Sequence, residues 1–196
     1  CESGTYLNAT LDLCLGCPAG SVCTGGASQP RPCPRGGYCL ANVSQPTDCP
    51  AGRYGSGTGL SDESCSGECA QGYYCEAGSV SAKAAACAEG SYGAATGLLA
   101  QAECTVCPAG TYCFAGSTAA TSCSKGTYAA AEGSQLCDAC PEGKYQGNKG
   151  ASACSECNDG FTCPEGSVVQ IPASCESGTY LNATLELCLG CPAGSV

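Results

Sequence analysis

The sequence lacks several residue types on which catalytic and nucleic-acid-binding sites depend. Its 196 residues include no His, no Met and no Trp, and only two Phe. Without His, a Ser–His or Cys–His catalytic pair is impossible. Seven Lys and Arg against 17 Asp and Glu give a net charge of −10, which provides no basic surface for nucleic acid or anionic lipid. We therefore expect no enzyme activity, no nucleic-acid partner, and solvated carboxylates at pairs such as Asp62 and Glu63.

Long apolar runs are also absent. No segment is long and apolar enough to span a bilayer, and no secretory signal opens the chain, so we expect an internal part of a longer protein. A compact chain of this length normally buries one sizeable core. The bulky apolar residues here are instead sparse and scattered, as at Leu7, Leu11, Leu13, Leu40, Leu98 and Leu99. Covalent links must replace that core.

Cysteine is what the sequence has in excess. The chain contains 23 Cys, about one residue in nine, which is above the roughly 8–10 % that marks a disulfide scaffold. Disulfides persist in secreted and cell-surface proteins. N-glycosylation sequons at Asn8, Asn42 and Asn182 fit the same compartment. The sequence therefore predicts an extracellular or cell-surface glycoprotein that carries covalent glycans and needs no cofactor.

A short repeat organises the chain. Each copy begins with Cys and has Gly three residues later, and nine of the ten Tyr lie five residues after such a Cys. We expect this Gly to adopt a positive φ in a tight turn. Strict spacing of this kind predicts a tandem array. The copies begin at residues 1, 17, 33, 49, 69, 87, 107, 123, 140 and 157, and the pattern restarts at 175 and 191.

Each repeat carries a second Cys at one of two distances, and the simplest pairing joins the two Cys of one repeat. In long repeats the second Cys follows after 13 to 17 residues, which gives Cys1–Cys14, Cys49–Cys65, Cys87–Cys104, Cys123–Cys137, Cys140–Cys154 and Cys175–Cys188. In short repeats it follows after six, which gives Cys17–Cys23, Cys33–Cys39, Cys69–Cys75, Cys107–Cys113 and Cys157–Cys163. Four consecutive Cys allow three connectivities, so a crossed pattern that ties neighbouring repeats together stays open.

The fold class that follows is small and disulfide-rich. Long repeats read as two short strands joined by a Gly/Ser/Ala turn, such as residues 55–59. A lone hairpin is marginal in water, and closing its loop with a disulfide supplies the missing stability. We therefore expect an elongated tandem array of short β-hairpin units with little hydrophobic core.

The beginning of the chain returns near its end. Residues 1–22 and 175–196 differ at one position, where Asp12 is replaced by Glu186. This predicts that residues 1–174 form one block of ten repeats and that residues 175–196 begin the next block. Positions stay equivalent when each block makes the same contacts as the last, as in a filament or solenoid.

Zinc binding is the main alternative for the Cys pairs. Five Cys-x-x-Cys pairs occur, and Cys137/Cys140 with Cys154/Cys157 approaches a zinc-ribbon spacing. These pairs fall at repeat junctions rather than in isolated tetrads, and sequons accompany them. We therefore favour disulfides and predict no metal site.

The words CPAGTYC at 107–113 and CPAGSVC at 17–23 resemble the ephrin-receptor-like cysteine-rich repeat. The Cys-x-x-Cys junctions that follow long repeats, such as Cys14/Cys17 and Cys104/Cys107, resemble it too. That repeat is similar in style to the modules of tumour-necrosis-factor receptors and occurs in mastigoneme-like proteins of flagellar hairs. The resemblance implies an extracellular array of disulfide-bonded β units without catalytic residues. The segment CNDGFTC at 157–163 lacks the Pro and Tyr, so we expect its packing to differ.

Two functions fit these observations. The first is a structural extracellular glycoprotein that polymerises with copies of itself, or with other surface glycoproteins, into a flagellar hair, surface fibre or coat. The second is the ectodomain or stalk of a cell-surface receptor or adhesion protein that binds a protein ligand. The near-identical 174-residue recurrence favours the filament, because receptor repeats tend to diverge.

Overall fold

The computed structural model describes residues 1–26, 29–174, 179–182, 184 and 187–190. The chain forms two compact units. The first comprises Cys1–Thr105 and Phe114–Ala119, and the second comprises Val106–Cys113 and Ala120–Val196. The Cys-led repeats are numbered here in chain order, from repeat 1 at Cys1 to repeat 10 at Cys157, with repeat 11 beginning at Cys175.

Short β-strands are almost the whole of the regular structure. One turn of 3-10 helix at Gln101–Glu103 is the exception among the described residues. The strands are β1 Thr5–Asn8, β2 Leu13–Gly16, β3 Ser21–Val22, β4 Arg31–Pro32, β5 Gly37–Tyr38, β6 Thr47–Asp48, β7 Tyr73–Tyr74, β8 Ala85–Ala86, β9 Ser91–Tyr92, β10 Thr105–Val106, β11 Thr111–Tyr112, β12 Thr121–Ser122, β13 Thr127–Tyr128, β14 Asp138–Ala139, β15 Lys144–Tyr145, β16 Ser155–Glu156, β17 Phe161–Thr162, β18 Ile171–Pro172, β19 Thr179–Asn182 and β20 Leu187–Gly190.

The strands pair as antiparallel hairpins within single repeats. In repeat 7, for example, Thr111 pairs with Ser122 and Tyr112 with Thr121. Short repeats such as this one form the hairpin as readily as long repeats do, so the expectation that tied it to long repeats was too narrow. The reason is that the hydrogen bonds between the two strands use backbone groups next to the turn. The position of the second Cys therefore does not affect the pairing.

Repeat 4 departs from this pattern. Its predicted hairpin around residues 55–59 is reduced to one isolated bridge between Arg53 and Glu68. Cys65 and Gly67 have φ angles of 51° and 129°, and such left-handed backbone cannot continue an extended strand. The bridge therefore stands where a longer ladder would otherwise form.

Repeats 1 and 11 contain the longest hairpins. In repeat 1, β1 pairs with β2 over four residues, from Thr5 opposite Gly16 to Asn8 opposite Leu13. In repeat 11, β19 pairs with β20 in the same register. The near-identical sequences of the two repeats therefore form the same local structure.

Half-cystines make up most of the buried core. Among the described residues, Leu98 and Ala129 are the buried apolar side chains that are not Cys. Leu98 packs with Cys87 and Cys104, and the ring of Tyr74 lies against this cluster. The predicted disulfide-rich fold of tandem hairpins with little hydrophobic core is thus confirmed.

Candidate functional site

The structure has ten described disulfides, and each joins the two Cys of one repeat. Five close loops of 13 to 17 residues and five close loops of six residues. No described disulfide links neighbouring repeats. Cys188 is disulfide-bonded, but Cys175 lies outside the described residues, so the pair Cys175–Cys188 stays a prediction.

A glycine turn explains why Cys residues only six apart can pair. In repeat 2 the backbone N–H of Ser21 donates to the carbonyl of Pro18, which reverses the chain at Gly20. Gly20 has a φ of 81°, a left-handed value that costs residues with a side chain about 1–2 kcal/mol. The turn brings the Cα atoms of Cys17 and Cys23 to 5.8 Å, an ordinary disulfide separation.

We call the Gly that follows each leading Cys by three residues the turn glycine. The predicted positive φ is found in every repeat from 1 to 10, with values between 77° and 85°. The turn glycines are Gly4, Gly20, Gly36, Gly52, Gly72, Gly90, Gly110, Gly126, Gly143 and Gly160.

The turn glycine also connects consecutive repeats through its backbone. In repeat 4, the N–H of Gly52 donates to the carbonyl of Cys75 in repeat 5 at 2.8 Å. The carbonyl of Gly52 accepts the N–H of Cys69, the leading Cys of repeat 5, at 3.0 Å. Both hydrogen bonds recur at other junctions inside the two compact units. At these junctions the turn glycine therefore stabilises its own turn and holds the next repeat in register.

A second positive-φ residue completes the junction. This loop residue follows its leading Cys by nine or ten residues, and its N–H donates to the leading Cys of the preceding repeat. Gly78, for example, donates to the carbonyl of Cys49 at 2.9 Å. The loop residues are Gly26, Asn42, Gly59, Gly78, Gly97, Gly116, Gly133, Gly150 and Gly166. Sequence reasoning missed them because their spacing differs between long and short repeats.

The loop residue packs against the turn glycine two repeats earlier. A Cβ placed on Gly20 would lie 2.5 Å from the carbonyl oxygen of Gly59, and one on Gly52 would lie 2.5 Å from that of Gly97. Real Cβ atoms do not approach other atoms so closely. Gly is therefore required at the turn both for its φ and for close backbone approach.

Asn42 is the one loop residue that is not glycine. It has a φ of 62°, and its N–H donates to the carbonyl of Cys17 at 2.9 Å. Asn adopts this conformation more readily than other residues with a side chain. Its side-chain oxygen lies against Gly16, although the residue as a whole is exposed. The backbone conformation and its hydrogen bond thus explain why Asn occurs at residue 42 without reference to a glycan. The glycosylation of Asn42 stays a prediction.

The sequon at Asn8 lies in the connection between β1 and β2. The side-chain oxygen of Asn8 accepts the backbone N–H groups of Thr10 at 3.0 Å and Leu11 at 3.1 Å. In repeat 11, Asn182 accepts the N–H of Thr184 at 3.0 Å in the same way. These bonds hold both amides through their side-chain oxygens.

Charged side chains support the hairpins. Both described salt bridges join cross-strand partners, Lys144 with Glu156 at 2.6 Å and Arg53 with Glu68 at 3.9 Å. The hydrogen bond and the negative charge of Glu156 raise the pKa of Lys144. Hydrogen bonds from the hydroxyl and N–H of Ser64 lower the pKa of Asp62.

The described residues contain no group of three or more His, Cys, Asp or Glu side chains suited to a metal ion.

An open cleft of about 740 Å³ lies along repeats 9 and 10. Glu142, Phe161 and Glu165 are among its lining residues. The two carboxylates, Glu142 and Glu165, are exposed to solvent. The described residues also contain no helix with the length and hydropathy of a membrane span.

The comparisons with known proteins agree with this architecture. Residues 110–157 and 126–175 match the family described as tyrosine-protein kinase ephrin type A/B receptor-like. Each matched stretch begins at a turn glycine and ends at a leading Cys. No curated protein matches the chain. With ten disulfides, the family match points to an extracellular or secreted protein with a non-catalytic role. Residues 110–175 of the chain are therefore similar to ephrin-receptor-like cysteine-rich repeats.

Proposed function

We propose that the chain is a structural extracellular glycoprotein whose repeats build a filament, such as a flagellar hair, surface fibre or coat. The main support for this proposal is the backbone junction that recurs between repeats. The same hydrogen bonds join successive repeats, as from Gly52 to Cys75 in one compact unit and from Gly126 to Gln146 in the other. An array of this kind extends by adding repeats and needs no dedicated surface for each one.

The 174-residue recurrence extends this reasoning from repeats to blocks. Repeat 11 forms the same hairpin, in the same register, as repeat 1. Blocks that begin with the same structure place equivalent surfaces at regular intervals. We infer that the partners of the chain are further copies of the block, with other surface glycoproteins as additional components.

A receptor ectodomain or stalk is the second candidate. The observation that favours it is the family description, which refers to ephrin type A/B receptors. In that function the repeats would position a separate ligand-binding surface. The mastigoneme resemblance and the receptor description thus predict different native materials, which can be told apart by direct imaging.

Electron microscopy of the native material, before and after a reducing agent, separates the two functions. A filament-forming protein is expected to give long fibres with a regular axial repeat that loosen when the disulfides are reduced. Dispersed single molecules or membrane-tethered stalks would contradict the filament and support the receptor. Native material treated with buffer alone is the control for spontaneous disassembly.

We expect an N-glycan at Asn8 and at its equivalent Asn182, which would decorate each block at one regular position. The physical basis is the hairpin connection that follows Asn8, which is exposed and in which the amide oxygen of Asn8 is held by backbone N–H groups. Glycopeptide mass spectrometry of native material measures occupancy, and the Asp12/Glu186 difference distinguishes the two peptides. Unmodified Asn8 and Asn182 would contradict the prediction. The glycan occupancy of Asn42, a sequon held at a loop position, provides an internal comparison.

A further inference from the structure

The junction between repeats 10 and 11 differs from the others. At the other described junctions inside the compact units, the leading Cys of the next repeat donates its N–H to the turn glycine. In repeat 10 the N–H of Ala173 donates to Gly160 at 2.9 Å instead, two residues before Cys175. The strand β18, Ile171–Pro172, therefore ends the block early and is followed by the extra residues Ala173 and Ser174.

The strand β18 contacts the hairpin of the next block. It lies against β20 of repeat 11, and both Ile171 and Pro172 are half-buried. Cys188, in the middle of β20, is half-buried as well. Repeat 11 thus has a neighbour on the strand that carries its second Cys.

The equivalent surface of repeat 1 is exposed. Cys14, the counterpart of Cys188, is exposed, although the two hairpins share sequence and register. Leu7 is the cross-strand partner of Cys14, so both side chains lie on the same face of the hairpin, and Leu7 is 37 % exposed. The strand that carries the second Cys is thus exposed at Cys14 in repeat 1 and contacted by β18 in repeat 11, which indicates the partner that this strand fits.

We propose that the Leu7/Cys14 face of repeat 1 docks onto the Ile171–Pro172 strand of a preceding ten-repeat block, as repeat 11 docks onto repeat 10. The occupant is therefore an earlier copy of the block in the same polypeptide. The surfaces match because Ile171 and Pro172 are apolar and uncharged, as are Leu7 and the Cys1–Cys14 disulfide. The inference rests on the proposed structural role and names the contact that joins its blocks.

The test extends the full chain upstream with a further copy of residues 1–174, fused directly before Cys1. The upstream copy carries Asp12→Glu, so that the hairpin at the new junction alone retains Asp12 and can be recognised by mass. The measurement is the rate at which Cys14 and Cys188 become alkylated during limited reduction. Access of the attacking thiol to the disulfide controls this rate.

In the original chain we expect Cys14 to be labelled about threefold or more faster than Cys188, because burial restricts thiol access. In the extended chain, Cys14 at the new junction is expected to slow to the rate of Cys188. An unchanged Cys14 rate after extension would overturn the proposal. This result is independent of whether native material forms fibres, so it can fail while the proposed function stands.

Two controls separate docking from simple fusion. Ile171→Asn in the upstream block removes the apolar contact and is expected to restore fast labelling of Cys14. A flexible Gly/Ser insertion between Ser174 and the downstream Cys1 keeps the covalent link but breaks the register, with the same expected result. Slow labelling of Cys14 in both controls would overturn the proposal. The Cys123–Cys137 pair, far along the chain, reports that each variant is folded.

Discussion

Full reduction of the disulfides is expected to unfold the chain at room temperature. The hairpins of repeats 2 to 10 have strands of at most two residues among the described residues, and such hairpins are not stable alone in water. The buried side chains are almost all half-cystines, so reduction removes the cross-links and leaves very little apolar core behind. Without the cross-links, the donors and acceptors of the junction hydrogen bonds are no longer held in alignment.

The energetic cost can be estimated for each cross-link. In the chain-entropy model, closing the 17-residue loop of Cys87–Cys104 is worth about 3 kcal/mol, and closing the six-residue loop of Cys17–Cys23 about 2 kcal/mol. Such contributions are large against the 5–15 kcal/mol by which whole domains are stable. The loss of all ten cross-links therefore exceeds what the remaining contacts can offset.

Hydrogen exchange measured by mass spectrometry tests this prediction. Amides that form junction bonds, such as those of Cys69 and Gly78, are expected to be protected in the oxidised chain and unprotected after reduction and alkylation. Alkylation without reduction is the control. A single-pair series, with both Cys replaced by Ala, should show a larger local loss at Cys87–Cys104 than at Cys17–Cys23. Protection that survives full reduction would contradict the dependence on disulfides.

Disulfide mapping of the same samples tests the pairing itself. Digestion between repeats should release each pair, such as Cys107–Cys113 and Cys123–Cys137, on separate peptides. A crossed pattern would instead link peptides from neighbouring repeats. Because each described disulfide closes one repeat on itself, the register between repeats depends on non-covalent contacts such as the junction hydrogen bonds.

The sequence predicted those parts of the fold that a side chain or a glycine encodes. The leading Cys and the turn glycine recur at fixed spacing, so the repeat boundaries and the positive φ could be read directly. Repeat 10, which lacks the Pro and Tyr in CNDGFTC, keeps the turn at Gly160 and the pair Cys157–Cys163. Its hairpin therefore depends on Gly and Cys rather than on the missing residues.

The junctions between repeats could not be predicted, because they are made by backbone groups that any residue possesses. The carbonyl that receives the N–H of the turn glycine belongs to Cys75 at one junction, Ala129 at another and Gln146 at a third. This acceptor lies six residues after the next leading Cys, where short repeats have their second Cys but long repeats have Gly, Ala or Gln. Residue type therefore does not mark the position in every repeat. The exposed hairpin of repeat 1 and the early end of repeat 10 are likewise visible only once neighbouring repeats are placed together.

Alanine substitution of three glycines, Gly20, Gly59 and Gly57, is the second prediction with a large expected effect. Together they separate the two constraints that a junction imposes on a residue, which are a positive φ and close backbone approach. Gly20 has a positive φ, and a Cβ on it would lie 2.5 Å from the carbonyl oxygen of Gly59. Gly59 also has a positive φ, but its nearest neighbour, the carbonyl oxygen of Gly20, would be 3.8 Å from a new Cβ. Gly57 has neither constraint among the described residues.

Replacing each of the three by Ala should give three graded effects on local stability. Gly57→Ala is expected to be neutral or slightly stabilising, because it only reduces the freedom of the unfolded chain. Gly59→Ala should cost about 1–2 kcal/mol for the left-handed backbone alone. Gly20→Ala should cost about 3 kcal/mol or more, because the strain of the positive φ is joined by a clash with backbone that cannot move aside.

The readout is hydrogen exchange at the two amides that bracket this contact. The N–H of Cys33 donates to Gly20, and that of Gly59 donates to Cys33, both at 2.8 Å. Gly20→Ala is expected to deprotect both amides while those of the second compact unit, such as Gly143, stay protected. Equal effects of Gly20→Ala and Gly59→Ala would show that φ alone determines the cost. In that case the close approach between alternate repeats would not contribute to the stability of the array.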